Sequence, residues 1–174
     1  KGQMHLLKVL DLPYGKFRDK GIPIDNLSNY NSSEENFVYI INLGAIVHSR
    51  LLFGTKTAML KMVDGSEFDV AKRTTAATKL NDEDELLIVR AVTGEETIVM
   101  QSEKEMFLRI EASAIPEKKK GAVGVRGMKL NAGDALSNIY VLDGENEQTV
   151  EVKGKEVVLN RLHVGNRDTK GTKR

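Results

Sequence analysis

The chain repeats a degenerate unit of about fifty residues three and a half times. Tight turns are predicted at the same point of each copy, near Gly2, Ala58, Glu105 and Gly154. An apolar residue follows each turn after five positions and another after ten: Leu7 and Leu12, Val63 and Phe68, Ile110 and Ile115, Leu159 and Val164. A unit of this size cannot bury its own apolar face. The repeat therefore predicts supersecondary units that stack on one another or are arranged radially.

Short apolar and β-branched runs, separated by turn residues, predict β-strands. The middle unit contains four such runs, at residues 86–92, 97–100, 106–110 and 125–130. Runs of the same kind lie at residues 37–43, 48–53, 59–63 and 139–142. No segment keeps a 3.6-residue apolar period over three turns. The sequence predicts an all-β, propeller-like protein with about three to four four-stranded blades in an open arc.

The repeat predicts a single domain that spans residues 1–174, with units at 1–53, 54–100, 101–152 and 153–174. The last unit is partial and the chain opens within a repeat, so we expect a fragment of a longer protein. The apolar positions predict a core formed by Leu7, Phe53, Leu60, Leu87, Val89, Val99, Leu108, Ile110, Ile139, Val141, Val158 and Leu159.

Several kinds of chemistry lack the residues they need. The chain has no cysteine, which excludes disulfides and thiolate metal sites. The three histidines, His5, His48 and His163, lack the spacing of metal ligands. The acidic run 82–85 lacks the spacing and the glycine of a calcium-binding loop. No apolar run reaches transmembrane length. We therefore expect no catalytic residue, no metal site and no cofactor in this chain, and no membrane partner.

Basic residues are concentrated in one connection of each unit, between its third and fourth predicted strands. We call these the first (16–20), second (72–79), third (118–129) and fourth (161–174) basic connections. They contain 16 of the 26 Lys and Arg residues: Lys16, Arg18, Lys20, Lys72, Arg73, Lys79, Lys118, Lys119, Lys120, Arg126, Lys129, Arg161, Arg167, Lys170, Lys173 and Arg174. Equivalent positions of a repeat protein lie on the same rim, so this pattern predicts a basic stripe across successive blades.

Acidic residues are concentrated beside the first predicted strand of each unit: Glu34, Glu35, the run 82–85, Glu95, Glu96, Asp134, Asp143, Glu145 and Glu147. A curved basic stripe that acids avoid is typical of duplex DNA binding through phosphates. Only two aromatic residues lie in or beside the basic connections, Tyr14 and Phe17 at the first one, which disfavours single-strand binding by base stacking. Solvated surface charge, and a protein-interaction propeller fragment that docks through its acidic rim, are the alternatives. A propeller hydrolase would need a convergent set of catalytic residues, and the sequence shows none.

Residues 2–13 and 18–27 resemble a blade of the C-terminal domain of bacterial type IIA topoisomerase A subunits, which are found in DNA gyrase and topoisomerase IV. The same family pattern recurs at residues 78–86, 124–134 and 166–171, in order along essentially the whole chain. Its most specific piece is Val-Arg-Gly-Met-Lys-Leu at 125–130. The resemblance implies a β-pinwheel, which is a propeller-like disc whose blades exchange strands and whose basic rim bends DNA.

The resemblance also implies functions for the parent enzyme. That enzyme is expected to be a cytoplasmic, nucleoid-associated type II topoisomerase that uses ATP and Mg²⁺, with an A-subunit dimer and an ATPase B-type subunit. Its strand passage needs a tyrosine in a winged-helix domain, and Tyr14, Tyr30, Tyr39 and Tyr140 have no such context. Two features depart from the family. The second connection lacks the glycine that lies in or beside the others. The gyrase heptapeptide Gln-Arg-Arg-Gly-Gly-Lys-Gly is also absent, so either it lies before residue 1 of the parent protein or the parent is topoisomerase IV, which is the interpretation we favour.

Overall fold

The computed structural model describes residues 2–174. Within them the regular structure is almost entirely β, which confirms the predicted class. The strands are β1 (Gln3–His5), β2 (Arg50–Thr55), β3 (Met59–Asp64), β4 (Thr74–Ala76), β5 (Leu86–Val92), β6 (Thr97–Ser102), β7 (Met106–Glu111), β8 (Val125–Arg126), β9 (Met128–Lys129), β10 (Leu136–Leu142), β11 (Thr149–Val152), β12 (Lys155–Val158), β13 (Thr169–Lys170) and β14 (Thr172–Lys173). One α-helix, α1 (Leu43–Ile46), and five 3₁₀ turns complete the described elements: Val9–Asp11, Ile24–Asn26, Gly65–Phe68, Ala112–Ala114 and Leu159–Arg161.

Two four-stranded antiparallel sheets form the centre of the fold. The first blade has the strand order β5-β2-β3-β8, and the second blade has the order β10-β6-β7-β14. In each blade a hairpin supplies the two middle strands, and the outermost short strand comes from the following repeat unit. Strand exchange between neighbours, as the family resemblance implies, is therefore built into both blades.

Strand exchange corrects one detail of the sequence interpretation. The four consecutive strands of the middle unit do not form one blade: β5 and β8 belong to the first blade, whereas β6 and β7 belong to the second. The predicted run 125–130 is also divided into β8 and β9. The reason is that the long connection after β7 reaches back and pairs β8 with the free edge of β3, at Met59–Arg126 and Leu60–Val125. Apolar periodicity records which residues are extended, but not which edge they pair with.

At each turn that the repeat predicts, a left-handed residue precedes a strand, and three of these residues, Ala58, Glu105 and Gly154, lie in hairpins. Gly2, Ala58, Glu105 and Gly154 all have left-handed backbones, with φ of 63°, 63°, 62° and 75°. Ala58 and Glu105 carry a Cβ, which makes this conformation unfavourable by about 1–2 kcal/mol. Hydrogen bonds from the same two turns to nearby carboxylates offset that strain.

Asp84 and Asp134 provide these carboxylates, at equivalent turns of the first and second blades. The Asp84 carboxylate accepts hydrogen bonds from the Thr57 amide (3.0 Å) and hydroxyl (2.6 Å). The Asp134 carboxylate accepts from the Ser102 hydroxyl (2.7 Å) and the Lys104 amide (3.2 Å). Both belong to the acidic clusters of the sequence, so part of that acidic charge is structural.

The core lies between sheets because both faces of the β2–β3 and β6–β7 hairpins are covered. Leu52 packs in a cluster shared with the second blade, whereas Leu51 and Phe53 pack in a second cluster with Phe68 and Ile46. This alternation follows from the two-residue period of a strand. A third cluster joins the second blade to the β11–β12 hairpin. Of the predicted core residues, Phe53, Leu60, Val99, Leu108, Ile110, Ile139 and Leu159 are buried, and Leu7, Leu87, Val89, Val141 and Val158 are half-buried.

The prediction of a strand at residues 37–43 is wrong. These residues have no regular structure up to α1, and Phe37 and Ile40 are 55% and 69% exposed. The equivalent strands β5 and β10 are edge strands, and each pairs with only one neighbour, β2 or β6. Among residues 2–174 no strand takes the place of that neighbour beside β1. An apolar run without a partner strand cannot form a ladder, whatever its β propensity.

Candidate nucleic-acid interface

Three of the basic connections contribute an edge strand to a sheet. β4 pairs with β1, β8 with β3 and β14 with β7, all antiparallel. The register is equivalent in each case, because Ala76, Arg126 and Lys173 lie opposite the residue that follows a left-handed turn residue, which is Gly2, Ala58 or Glu105. The second, third and fourth connections therefore occupy equivalent positions, as the charge periodicity predicts.

Gly124 and Gly171 lie where the exchanged chain segments approach the backbone of the neighbouring strand closely. A Cβ on Gly124 would lie 2.5 Å from the Leu60 carbonyl oxygen, and one on Gly171 would lie 2.9 Å from the Phe107 carbonyl oxygen. In the second connection Thr74 takes the place of Gly124 and Gly171, because it lies two residues before Ala76, and it pairs with His5 in the β1–β4 ladder. The missing glycine thus leaves the strand pairing intact.

The third and fourth connections lie side by side. β9 and β13 pair in parallel, which makes Lys129 and Lys170 direct neighbours in the ladder. The Asp168 amide donates to the Gly127 carbonyl (2.7 Å), and the Arg167 guanidinium donates to the Arg126 carbonyl (2.9 Å). Four cations from two connections are thereby brought together: Arg126, Lys129, Arg167 and Lys170. We call this group the junction cluster.

The Lys118–Lys120 segment is held by a buried lysine that charge periodicity did not identify. Lys61, in the middle of β3, is only 2% exposed. Its Nζ donates to the carbonyl oxygens of Lys120 (2.8 Å), Ala122 (2.7 Å) and Lys119 (3.3 Å). The ammonium group lies 5.4 Å from the centre of the Phe53 ring, a cation–π distance. Three acceptors match the three N–H groups of an ammonium, so Lys61 fixes the backbone of this turn.

Burial lowers the pKa of Lys61 to about 8, with a smaller opposing effect from the negative charge of Glu67. A signal for this residue was present in the sequence: a single lysine interrupts the apolar run Met-Leu-Lys-Met-Val at 59–63. In a strand buried on both faces, such a lysine must find acceptors inside the protein.

The three lysines of this turn have different environments. The Lys120 ammonium donates to the Glu67 carbonyl (2.8 Å), and its amide donates to the Glu67 carboxylate (3.0 Å). The Lys119 side chain is 86% exposed and lies 3.5 Å from the other Glu67 oxygen. Lys118 is exposed. Lys118 and Lys119 therefore present charge to solvent, while Lys120 joins the third connection to the Gly65–Phe68 turn before the second.

Arg109 of β7 holds the start of the fourth connection in a similar way. Its Nε donates to the Thr97 hydroxyl (2.9 Å), and its Nη1 donates to the carbonyls of Asn160 (2.5 Å) and Leu162 (3.2 Å). Arg109 is half-buried and Lys61 is buried, and the cation of each orders a surface connection rather than binding a ligand. Arg109 lies outside the basic connections, so charge periodicity did not identify it either.

The remaining predicted site residues are spread along the surface. The first connection is an exposed loop whose local order comes from a hydrogen bond between the Lys16 amide and the Asp19 carboxylate (2.7 Å). The hydrogen bonds of this loop join Lys16 and Asp19 to each other and not to another basic connection. The exposed residues of this remaining set are Lys16, Arg18, Lys20, Lys72, Arg73, Lys79, Arg161, Lys173 and Arg174.

The predicted separation of acids from bases is incomplete. Glu67 contacts Lys119 and Lys120, Asp168 pairs with Arg126, and Glu147 pairs with Arg161 at 3.2 Å. Conversely, acids placed elsewhere are engaged in turns, as when Glu96 accepts from the amides of Thr93 and Gly94, both at 2.8 Å. The physical reason is that these carboxylates satisfy local backbone and guanidinium donors, a role that charge periodicity does not reveal.

Two of the tyrosines, Tyr30 and Tyr140, form hydrogen bonds within the protein. Tyr140 donates to the Gln101 side chain (2.8 Å), and its burial raises the pKa of the phenol. Tyr30 donates to the Glu35 carbonyl (2.9 Å). Across residues 2–174, no group of three or more His, Cys, Asp or Glu side chains could hold a metal ion. In the same range no helix has the length and apolarity to cross a membrane.

The chain is similar to known proteins in sequence and in fold. The DNA gyrase A subunit of Staphylococcus epidermidis is 29% identical over 181 residues, which is 99% of this chain and 20% of that protein. The corresponding gyrase protein from Lawsonia intracellularis is 29% identical over 180 residues, which is 98% of this chain and 22% of that protein. The chain thus spans about one fifth of these curated relatives. Both of these relatives are DNA gyrase A subunits.

Solved structures agree on the fold. The crystal structure of the C-terminal domain of DNA topoisomerase IV superposes with a TM-score of 0.80 at 18% identity, covering 99% of this chain and 55% of the other. A DNA gyrase A C-terminal domain gives 0.73 at 20% identity, covering 98% and 56%. The family model described as the DNA gyrase C-terminal domain, beta-propeller, matches residues 49–93 and 96–143. This chain, with its exchanged strands and its repeated blades, belongs to the DNA gyrase C-terminal β-propeller family of type IIA topoisomerase A subunits.

Proposed function

We propose that this chain binds duplex DNA without sequence preference and bends it over its basic connections. In the parent topoisomerase, it presents that DNA to the strand-passage core. The observation that carries the proposal is that the third basic connection contacts elements of the fold next to it on both sides. The third adjoins the fourth through β9 and β13, and Lys120 joins the third to the Gly65–Phe68 turn before the second.

Exposure and order of the cations support phosphate contact. Lys118, Lys119, Lys129 and Lys170 are exposed, and the backbone that carries them is fixed by ladder bonds or by Lys61. Cations on an ordered backbone lose less conformational entropy on binding than cations on a flexible tail. Phosphate contacts give affinity and register without reading sequence.

Bending follows from the repeat. Successive blades present the same edge, so a duplex that contacts more than one connection must follow the line joining them. Bending a 20–30 bp duplex by 40–90° costs of order 1–6 kcal/mol, which further phosphate contacts can offset. Longer duplexes should therefore bind more tightly until all the connections are covered.

The partners of the parent enzyme follow from the same proposal. They are duplex DNA, an ATPase B-type subunit and a second A subunit, in the bacterial cytoplasm at the nucleoid. The parent enzyme would use ATP and Mg²⁺. Docking of a protein through the acidic rim is less well supported, because Asp84, Asp134 and Glu96 are already used in hydrogen bonds within turns.

The test is equilibrium binding of the chain to duplexes of unrelated sequence. We expect the Lys118→Glu, Lys119→Glu double variant to lose affinity for every sequence alike. The control is Asp82→Asn, Glu83→Gln, which alters two exposed acids and spares the structural Asp84; it should not weaken binding. Loss of DNA binding in the acidic variant, with retention in the lysine variant, would contradict the proposal.

A further inference from the structure

One acidic side chain lies within the junction cluster. The Asp168 carboxylate receives two hydrogen bonds from Arg126, from Nε to Oδ1 at 2.5 Å and from Nη2 to Oδ2 at 3.3 Å. The hydrogen bond with Arg126 is the main cause that lowers the pKa of Asp168, and the charges of Lys129 and Arg167 add to it. An anion is therefore already present beside three of the four cations of the cluster, Arg126, Lys129 and Arg167.

The backbone of Asp168 is fixed in place. Its φ is +62°, a left-handed conformation that is uncommon for residues with a Cβ, although Asp and Asn tolerate it best. Its amide donates to the Gly127 carbonyl at 2.7 Å, and the next residue, Thr169, donates through its hydroxyl to the Asn166 carbonyl at 2.7 Å. The loop thus holds the carboxylate against the exchanged strand of the first blade.

A second, independent feature of the cluster indicates an anion. Lys129 and Lys170 are exposed and are register partners on adjacent parallel strands. Neighbouring strands lie about 4.8 Å apart, and partner side chains project to the same side. Like charges in such positions repel each other, and a shared anion relieves the repulsion. A phosphate group between them would have this effect.

We propose that the Asp168 carboxylate is an internal competitor for a DNA phosphate at the junction cluster. The inference rests on the proposed function. An arginine binds a carboxylate and a phosphate with the same two-pronged geometry, so one can replace the other. The Arg126 and Asp168 side chains are 54% and 37% exposed, and an ion pair so open to solvent is easily exchanged. Asp168 thereby sets an upper limit on how tightly this junction holds DNA and favours release.

The experiment compares Asp168→Asn with Asp82→Asn in duplex DNA binding over a range of salt concentrations. Both substitutions remove one negative charge, but Asp82 is exposed and lies outside the basic connections. We expect Asp168→Asn to bind about 2- to 5-fold more tightly than the wild type, from the energy of an exposed ion pair. Its slope of log affinity against log salt should be steeper by about 0.9, for one more phosphate neutralised. Asp82→Asn should change affinity by less than this.

Asp168→Gly is the second variant, because glycine adopts a φ of +62° without strain and also lacks the carboxylate. It should reproduce the effect of Asp168→Asn, and melting curves identify any variant that folds poorly. If the wild type binds DNA and neither Asp168 variant binds more tightly than Asp82→Asn, the inference is wrong and the proposed function stands. If the wild type and all variants fail to bind, both are wrong.

Discussion

Replacing Lys61 by methionine isolates the ordering of the basic turn from its charge. Methionine keeps the unbranched apolar stem within β3 but removes the three hydrogen bonds to the carbonyls of residues 119, 120 and 122. A hydrogen bond to a charged group contributes at most about 1.5–3 kcal/mol to the free energy of unfolding. The carbonyls lie in a surface turn and can regain water, and the variant avoids the unfavourable burial of an ammonium.

The net expectation for Lys61→Met is a loss of about 2 kcal/mol in the free energy of unfolding. For a chain of this size that corresponds to a fall of roughly 4–8 °C in Tm. DNA affinity should fall about 3-fold, because Lys118 and Lys119 must then be ordered on binding. The assay is thermal unfolding followed by circular dichroism, together with DNA binding at one fixed salt concentration.

The matched control is Lys155→Met, which removes the same charge from an exposed position on β12. It should leave both quantities close to the wild type. In the Lys118→Glu, Lys119→Glu background, Lys61→Met should cost stability but have little further effect on DNA affinity. Unchanged stability in Lys61→Met would refute the argument that this lysine holds the turn.

Other contacts give three more predictions. First, the pKa of Lys61 is about 8 in the folded chain and 10.5 ordinarily, so between these pH values the unfolded chain binds more protons than the folded one. The free energy of unfolding relative to Lys61→Met should therefore rise from pH 8 to pH 10.5, as measured by urea titration. Second, Asp84→Ala should lower the free energy of unfolding by about 2–3 kcal/mol through loss of the turn hydrogen bonds, whereas Asp82→Ala should change it by less than about 0.5 kcal/mol. Third, Gly124→Ala should lower Tm because its Cβ meets a β3 carbonyl at 2.5 Å, whereas Gly121→Ala, with nothing within 4 Å, should not.

The parts of the fold that follow from local pattern were predictable. Turns at Ala58 and Glu105 and strands such as β5 depend on residues close in sequence, and the repeat amplifies that signal. Pairing across repeats was not predictable from periodicity, because the edge that β8 joins is set by the length and path of a connection. The failed strand at 37–43 has the same origin: its composition is that of a strand, but a strand requires a neighbour.

For the candidate site, the positions of the cations were predictable and their roles were not. Charge periodicity placed Arg126 and Lys170 on equivalent connections, and the structure brings those connections together. It could not distinguish Lys120, which binds Glu67, from Lys118, which faces solvent. Nor could it show Lys61, since a single lysine in an apolar run carries no periodic signal.

The most direct test of the central claim is the salt dependence of duplex DNA binding by the wild-type chain. If about six cations of the basic connections contact phosphates, log affinity should fall against log salt with a slope of roughly −5, for unrelated sequences alike. Affinity should also rise with duplex length until the connections are covered. Binding that is insensitive to salt, or restricted to one sequence, would contradict the account.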